Sequence, residues 1–423
     1  MRKINMQKVF FKTFGCRTNL FDTQVMRENI KNFECVDHED CADIIVVNSC
    51  TVTNGADSGV RSYVNRLYMQ GKKVYFTGCG VKTQGKNLFE KDMTFGVFGH
   101  SLKEKIDDFL QQENKFFYDD DLDGLHLDTT LVSEFVGKSR AFIKIQEGCD
   151  FACSYCVIPL VRGKARSMEE KKILEQISML GQSGISEVVL TGTNVGSYGK
   201  DKGSNIAKLI KAIMNIDGIR RIRIGSLEPS QIEAEFLELL DQDILERHLH
   251  IALQYTEDSM LMKMNRKNRF ESDYLLLEKI AKKGFALGSD FIVGHPGEDE
   301  SIWDRALENI KSLPLTHIHP FIYSLRDNTP SASMKPPVNG AIAKERLQQL
   351  NALIKSKNLA FRKKLKEQKK TLHILVENTQ NSIYNGLDQY FNKIKIHTCT
   401  PLESKWLEVE NYQVLDEVNC VEI

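Results

Sequence analysis

No charge of one sign prevails in this chain: 57 Lys and Arg are matched by 57 Asp and Glu across 423 residues. Binding to nucleic acid through bulk charge is therefore excluded, and any such surface must be a local patch. No apolar run approaches the roughly 20 residues that a membrane-spanning helix needs. Met1 to Phe14 carries Lys and Arg but lacks an apolar stretch followed by a small-residue cleavage site, so no secretory signal is read and a cytoplasmic location is expected. Internal repeats are absent, and the one biased stretch is acidic. Cysteine, by contrast, is present ten times. In a reducing compartment these residues are not expected to form a disulfide framework, which leaves metal binding, catalysis or plain burial.

At 41% hydrophobic and 27% charged residues the composition is that of a soluble globular protein, and the length implies two or three domains. Pattern divides the chain into an N-terminal unit (1–118), a linker (119–134), a central unit (135–368) and a C-terminal unit (369–423). In the first, strands are expected at Lys8–Phe14, Asp43–Asn48, Lys73–Thr77 and Phe95–Phe98, with helices at Thr23–Phe33 and Gly59–Met69. Such alternation predicts a parallel sheet covered by helices. Asp119–Thr130 is acidic and aperiodic, which marks the linker. The central unit repeats strand then helix six times, with strands at Ala141–Ile145, Glu187–Leu190, Arg221–Gly225, Leu249–Leu253, Ser289–Val293 and His317–Tyr323. Right-handed crossovers curl six such units into a partial (β/α)6 barrel. A charged helix over Ala343–Lys370 closes it. The last unit reads as a small β domain, with strands at His373–Val376, Lys393–His397 and Leu407–Glu410 and a turn at Asn385-Gly386. The fold class expected is α/β, with a small β module appended.

Cys149, Cys153 and Cys156 form C-x3-C-x2-C directly after the first central strand. Three thiolates on one loop suit a 4Fe–4S cluster with one iron left open, unlike the four-cysteine sites of electron carriers. An open iron can chelate the amino and carboxylate groups of S-adenosylmethionine, whose reductive cleavage yields an adenosyl radical. A structural zinc site would require a fourth local ligand, and none is present in the run. Inert buried cysteines seldom crowd into a polar loop. In the N-terminal unit Cys16, Cys50 and Cys79 each follow an expected strand, and loops at the carboxyl ends of parallel strands form the ligand crevice. Position alone leaves open whether they share a site or are three buried small residues. Cys35, Cys41, Cys399 and Cys420 fit neither set.

The stretch EGCDFACSYCVIPLVRGKARS (Glu147 to Ser167) resembles the radical S-adenosylmethionine methylthiotransferase family. LTGTNVGSYG, SLEPSQI, HLHIALQ, KMNRKNR, DFIVGHPGE and PFIYSLRDNTP resemble it in the same order, so the resemblance spans nearly the whole chain. It implies a second 4Fe–4S cluster on Cys16, Cys50 and Cys79. It also implies that the radical made at Cys149, Cys153 and Cys156 removes a hydrogen from an unactivated carbon. The methylthio sulfur would arrive through the second cluster and be methylated by another S-adenosylmethionine. Tyr155, Gly192, Asn194, Glu228, Gln254 and Gly294 are the expected S-adenosylmethionine contacts, against the alternatives of simple packing for Tyr155 and ordinary turn chemistry for Gly192 and Gly294.

Relatives modify either an adenosine next to the tRNA anticodon or an aspartate of a ribosomal protein. The wording TGTNVGSYG, SLEPSQI and RGKARS is most similar to the branch acting on N6-threonylcarbamoyladenosine; the isopentenyladenosine branch usually has Gln-Asn where this chain has Thr193-Asn194. Tyr255 stands where relatives usually have serine. The expected partner is the tRNA anticodon loop, with the base splayed into the pocket and the C-terminal module binding RNA. Arg362, Lys363, Lys364, Lys366, Lys369 and Lys370 are candidates for phosphate contacts, against the alternative of a merely solvated helix face. A non-catalytic iron–sulfur scaffold is the competing reading from another class.

Overall fold

The computed structural model describes residues 6–120, 127–133, 139–380, 383–398, 401–402 and 405–423. The N-terminal sheet holds β1 (Lys8–Thr13), β2 (Glu34–Val36), β3 (Ile44–Ser49), β4 (Lys73–Gly78), β5 (Gly96–Phe98) and β6 (Phe116–Tyr118), all parallel in the order β2-β1-β3-β4-β5-β6. β3 is buried along its whole length, as its run of Ile and Val requires of a strand covered on both faces. Helix α2 (Asn54–Met69) is capped by the Thr53 hydroxyl, which accepts from the Ala56 N–H, and buries Val60, Val64 and Leu67 at helical spacing. Helix α1 (Arg17–Glu28) begins six residues before the expected Thr23. Its buried face includes Thr18, Asn19 and Asp22, so apolar periodicity misses the first turns. β2 and β6 are three-residue strands too short to announce themselves by pattern.

The central barrel carries β7 (Ala141–Glu147), the two-residue β8 (Arg166–Ser167), β9 (Glu187–Gly192), β10 (Arg221–Ile224), β11 (His248–His250), β12 (Ala286–Val293) and β13 (His317–Ile322). β8 pairs antiparallel with β7 at one edge; the other six are parallel, with single bridges at Ile222–Leu245 and Leu227–Ile251 joining β10 to the β11 side. Its helices include α3 (Ile158–Arg162), α4 (Glu170–Gln182), α5 (Ile206–Ile213), α6 (Phe270–Lys282), α7 (Glu300–Ser312) and the 28-residue α8 (Gly340–Glu367). One large core lies between strands and helices, where Leu249, Leu287, Phe291 and Ile318 meet Leu277, Trp303 and Ile310. Alternation along the strands turns the other set inward: Arg223, His248, His250, Asp290, His317 and His319 make the concave face polar. Tyr255 is fully buried in the outer core with its ring 4.7 Å from Phe291, so its departure from the usual serine alters packing behind the strands.

The C-terminal module is a six-stranded sheet of β14 (Leu372–Gln380), β15 (Ile383–Leu387), β16 (Lys393–His397), β17 (Trp406–Val409), β18 (Gln413–Val414) and β19 (Asn419–Glu422). The expected turn at Asn385-Gly386 is instead the middle of β15. A Cβ on Gly386 would lie 2.7 Å from both Ile374 Cγ2 and Leu375 O, so this glycine admits a close strand crossing. Two described acids of the expected linker are buried in ion pairs: Asp120 pairs with His100, and Asp128 pairs with Lys103 and Lys144, whereas Asp119 is exposed. The module sits on the barrel through buried arginines. Arg223 donates to Asp388 O and Arg221 to His373 O, while Arg247 N–H donates to Gln389 O.

Arg362, expected to meet phosphate, is 1% exposed and donates to Leu415 O, Val418 O, Asp416 O and Asn419 Oδ1. The neighbouring lysines remain exposed. Arg362→Leu is expected to loosen the C-terminal module by about 3 kcal/mol, since a hydrogen bond to a charged group contributes about 1.5–3 kcal/mol. Hydrogen exchange checks this: amides of β16 and β19 should exchange faster while those of β7 and β9 keep their protection.

Candidate active site at the meeting of two cysteine sets

Cys50 and Cys79 directly follow β3 and β4, and Cys16 lies three residues beyond β1; the three strands are adjacent and parallel. The sheet therefore gathers at one edge residues that are 34 and 29 positions apart in sequence. The approach is close enough that Gly15 must be glycine: at φ +98° a Cβ there would stand 2.5 Å from Cys50 Cβ and 2.8 Å from its Sγ. Burial pushes the Cys50 thiol up, and that of Cys79 to about 12 despite the Arg162 guanidinium beside it. Cys16 is exposed.

The second set lies on the loop leaving β7. Gly148 turns the chain at φ +75°, where a Cβ would collide with Lys164 O at 1.9 Å. The loop is then fastened from several sides. Cys149 N–H donates to Gly163 O, Ser154 N–H to Met264 O and Ser154 Oγ to Lys263 O. Ser331 N–H donates to Ser154 O, and Asn265 Nδ2 to Ala152 O. Burial raises the Cys149 thiol and pushes that of Cys156 to about 12. A bound metal would hold these thiols as thiolates.

Both sets fit an iron–sulfur core better than a single ion. Zinc–thiolate bonds of about 2.3 Å put tetrahedral sulfurs about 3.8 Å apart. Among the described residues, the one group with three ligand atoms within 4.8 Å of one another is His250, Asp290 and His319, not either cysteine trio. Burial would push the Asp290 carboxyl up, but hydrogen bonds from His250 and His319 hold it well below the usual carboxylate range.

The two sets meet. Cys79 packs against Val157 and Val161, on the segment that follows Cys156. Arg162, at the end of α3 and 2% exposed, lies along the seam. Its Nε is 3.1 Å from Cys79 Sγ, and its Nη2 donates to Asn19 Oδ1 at 2.7 Å and Asp22 Oδ2 at 3.0 Å. Its Nη1 pairs with Glu147, two residues before Cys149. Lys144 joins the same network through Asp22 at 2.7 Å and through Asp128. Burial opposes charge on all of these groups, yet their mutual attraction prevails: Glu147 and Asp22 are held low, and Lys144 and Arg162 are raised.

The other expected contacts fall around the second loop with distinct surroundings. Asn194 Nδ2 is 3.7 Å from Cys149 Sγ; its N–H donates to Gln146 Oε1, and its Oδ1 is buried with no partner among the described residues. A ligand ammonium would satisfy that oxygen. Gly192 leaves room for Gln146 of the next strand, 2.8 Å from where its Cβ would be. Glu228 pairs with Arg266 at 2.5 Å. Gln254, four residues beyond β11, holds φ +66° and bridges to Phe291, its backbone bonding to Asp290 O and Ile292 N–H. Gly294 N–H donates to the Glu298 carboxylate, and a Cβ there would press on Ala343. Tyr155 lies edge-on to His295 with centroids 6.5 Å apart, and burial raises its phenol. Sequence reasoning missed Arg266, whose Nη1 lies 3.8 Å from Cys153 Sγ, and Arg162. Both lie inside motifs quoted for the resemblance, but nothing in a sequence marks an arginine as buried.

A partial barrel that offers three cysteines on the loop after its first strand defines an iron–sulfur enzyme that uses S-adenosylmethionine. Residues 143–310 match the description "Radical SAM superfamily", and residues 8–99 match "Uncharacterized protein family UPF0004". A Helicobacter pylori (strain J99) protein named "Putative methylthiotransferase" is 60% identical over 98% of this chain and 99% of its own length. "Threonylcarbamoyladenosine tRNA methylthiotransferase MtaB" of Aquifex aeolicus is 34% identical over 89% of this chain and 95% of its own. Its Bacillus subtilis namesake is 35% identical over 82% and 80%. The radical S-adenosylmethionine methyltransferase TsrM from Kitasatospora setae, solved with cobalamin and a [4Fe-4S] cluster, shares the fold with a TM-score of 0.57 at 15% identity over 77% of each chain. The chain belongs to the radical S-adenosylmethionine methylthiotransferase family, most like MtaB. It is a transferase whose cofactors are S-adenosylmethionine and two 4Fe–4S clusters.

Gly148→Ala is expected to lose about half of the protein's iron, because a displaced loop cannot hold its cluster while the other set is untouched. Iron analysis and visible absorbance of the anaerobically reconstituted protein check this.

Proposed function

We propose that this enzyme adds a methylthio group to carbon 2 of N6-threonylcarbamoyladenosine beside the anticodon of tRNA. Cys149, Cys153 and Cys156 hold the cluster that binds S-adenosylmethionine, and Cys16, Cys50 and Cys79 hold the auxiliary cluster. The observation that carries the reading is the meeting of the two sets across Arg162, Cys79 and Val157. Insertion of sulfur at a carbon requires the radical-forming and sulfur-delivering sites to face one cavity. When bound, the clusters and S-adenosylmethionine supply hydrogen abstraction and the methylthio group.

The chain's own residues bind, orient and exclude water. Asn194 Oδ1 and Glu228 accept from the methionine ammonium, Tyr155 and Gly294 line the adenosine, and Gln254 and Gly192 shape the mouth. The N-terminal sheet (within 1–118) closes over the barrel (135–368). Arg326, after β13, pairs with Asp57 of α2 and donates to Asn54 Oδ1, while Asn54 N–H donates to Ser324 Oγ. A closed chamber protects a radical from solvent. The similarity to proteins named as threonylcarbamoyladenosine tRNA methylthiotransferases supports this substrate.

The C-terminal module (369–423) would hold the RNA backbone. A groove of about 720 Å³ between it and the barrel carries Arg247, Lys282, Lys283, Lys364 and Lys370 against Asp241 and Glu278. Such a groove would serve as the local basic surface of a chain without net charge.

Reconstituted enzyme, reductant, S-adenosylmethionine and sulfide would be incubated with tRNA bearing adenosine, isopentenyladenosine or threonylcarbamoyladenosine, and the nucleosides analysed by mass spectrometry. A methylthio product is expected on threonylcarbamoyl tRNA alone, and Cys50→Ala should abolish it. Product on isopentenyl tRNA would overturn the substrate. Cofactor cleavage without any RNA product would move the target to protein. For the groove, Lys364→Glu with Lys370→Glu should weaken tRNA binding regardless of the modification. The slope of log affinity against log salt should fall by about 1 for each phosphate no longer neutralised.

A further inference from the structure

We infer that Arg17 is the specificity-determining residue that receives the carboxylate of the substrate's threonylcarbamoyl group inside the barrel. The inference rests on the substrate reading above and adds the side chain that reads it.

Arg17 opens α1 immediately after Cys16. Its side chain leaves the N-terminal unit and lodges between the other two: the guanidinium carbon is 5.8 Å from the Phe142 ring on β7 and 5.9 Å from the Phe391 ring of the C-terminal module. The Phe391 ring in turn stacks on His248 at 4.9 Å and carries Arg223 at 5.5 Å, so Arg17 belongs to the polar layer of the barrel's concave face.

Every other arginine of this layer is satisfied. Arg223 bonds Glu187, Glu246 and Asp388 O; Arg221 bonds Glu187 and His373 O; Arg140 pairs with Glu187 and Glu377. Arg17 alone has no hydrogen-bond or ion-pair partner among the described residues. Glu187 and Glu246 are already shared among Arg140, Arg221 and Arg223.

Arg17 is half-buried, and a guanidinium without a protein partner in such a place is open to an anionic ligand. Arginine's planar fork, held between two aromatic faces, is arranged for bidentate contact with a carboxylate. The threonylcarbamoyl group ends in such a carboxylate; an isopentenyl group is apolar and would leave Arg17 unpaired. Because Arg17 adjoins Cys16, the anion is held within one side-chain length of the auxiliary site.

The test is binding, which requires no turnover. Anticodon stem-loops bearing threonylcarbamoyladenosine or its neutral methyl ester would be titrated anaerobically into wild-type holoenzyme, Arg17→Gln and Arg17→Lys, with iron content and absorbance recorded for each protein. Wild type is expected to prefer the acid by about tenfold or more, the ratio to fall to about one in Arg17→Gln, and Arg17→Lys to keep part of it. A wild-type ratio near one, or an unchanged ratio in Arg17→Gln, overturns the assignment. Equal weakening toward both RNAs would make Arg17 a phosphate contact and overturn it as well. Failure of the substrate reading is seen separately, as product on a different RNA in the nucleoside assay.

Discussion

The architecture depends on one buried charge network. Arg162, Lys144 and Lys103 face Asp22, Glu147 and Asp128 where α1 of the N-terminal unit is laid against β7 of the barrel. Each of these side chains is at most 2% exposed. Six ionised groups can be withdrawn from water only if each is matched, so the network tolerates essentially one docking of the two units. That docking decides where Cys79 lies relative to the loop of Cys149, Cys153 and Cys156. The same guanidinium that pairs with Glu147 touches the Cys79 sulfur. Position of the two cysteine sets and matching of buried charge are therefore one constraint.

Around that seam the barrel divides its strands between two environments. The outward set is apolar and makes the core against the helices. The inward set is polar and imidazole-rich, and burial disfavours the charged form of His248 and His317. The Glu187–Arg221–Arg223–Glu246 cluster repeats the logic of the first network at the base, where it fastens the C-terminal module through main-chain carbonyls. Arg17 of the N-terminal unit lies beside Phe142 of the barrel and Phe391 of the C-terminal module, and so joins all three units.

Much of this was legible in advance. C-x3-C-x2-C after a strand, six strand–helix repeats and cysteines behind three N-terminal strands are local or periodic signals, and each coincides with a strand or loop of the folded chain. What escaped follows from burial of polar groups. The first turns of α1 were invisible because Asn19 and Asp22 take the inward places that a hydrophobic pattern reserves for Leu or Ile. Arg362 read as an RNA contact because its lysine neighbours are exposed, yet it ends among the carbonyls of 415–418. Asn385-Gly386 read as a turn because glycine's second use, admitting a close strand crossing, leaves no local mark.

The sequence by itself determined the cofactor chemistry, the family and the order of the domains, because cysteine spacing and strand–helix rhythm are properties of neighbouring residues. Tertiary structure decided which charged residues are interior and whom they pair with. It made Arg162 a tie between the cysteine sets, Arg266 a neighbour of Cys153, and Arg17 a charge without a partner. Those roles rest on contacts between residues as far apart as Asn19 and Arg162 or Arg17 and Phe391. No spacing rule reaches that far; only the folded chain brings the groups together and withdraws the water that would otherwise make them equivalent to any surface arginine.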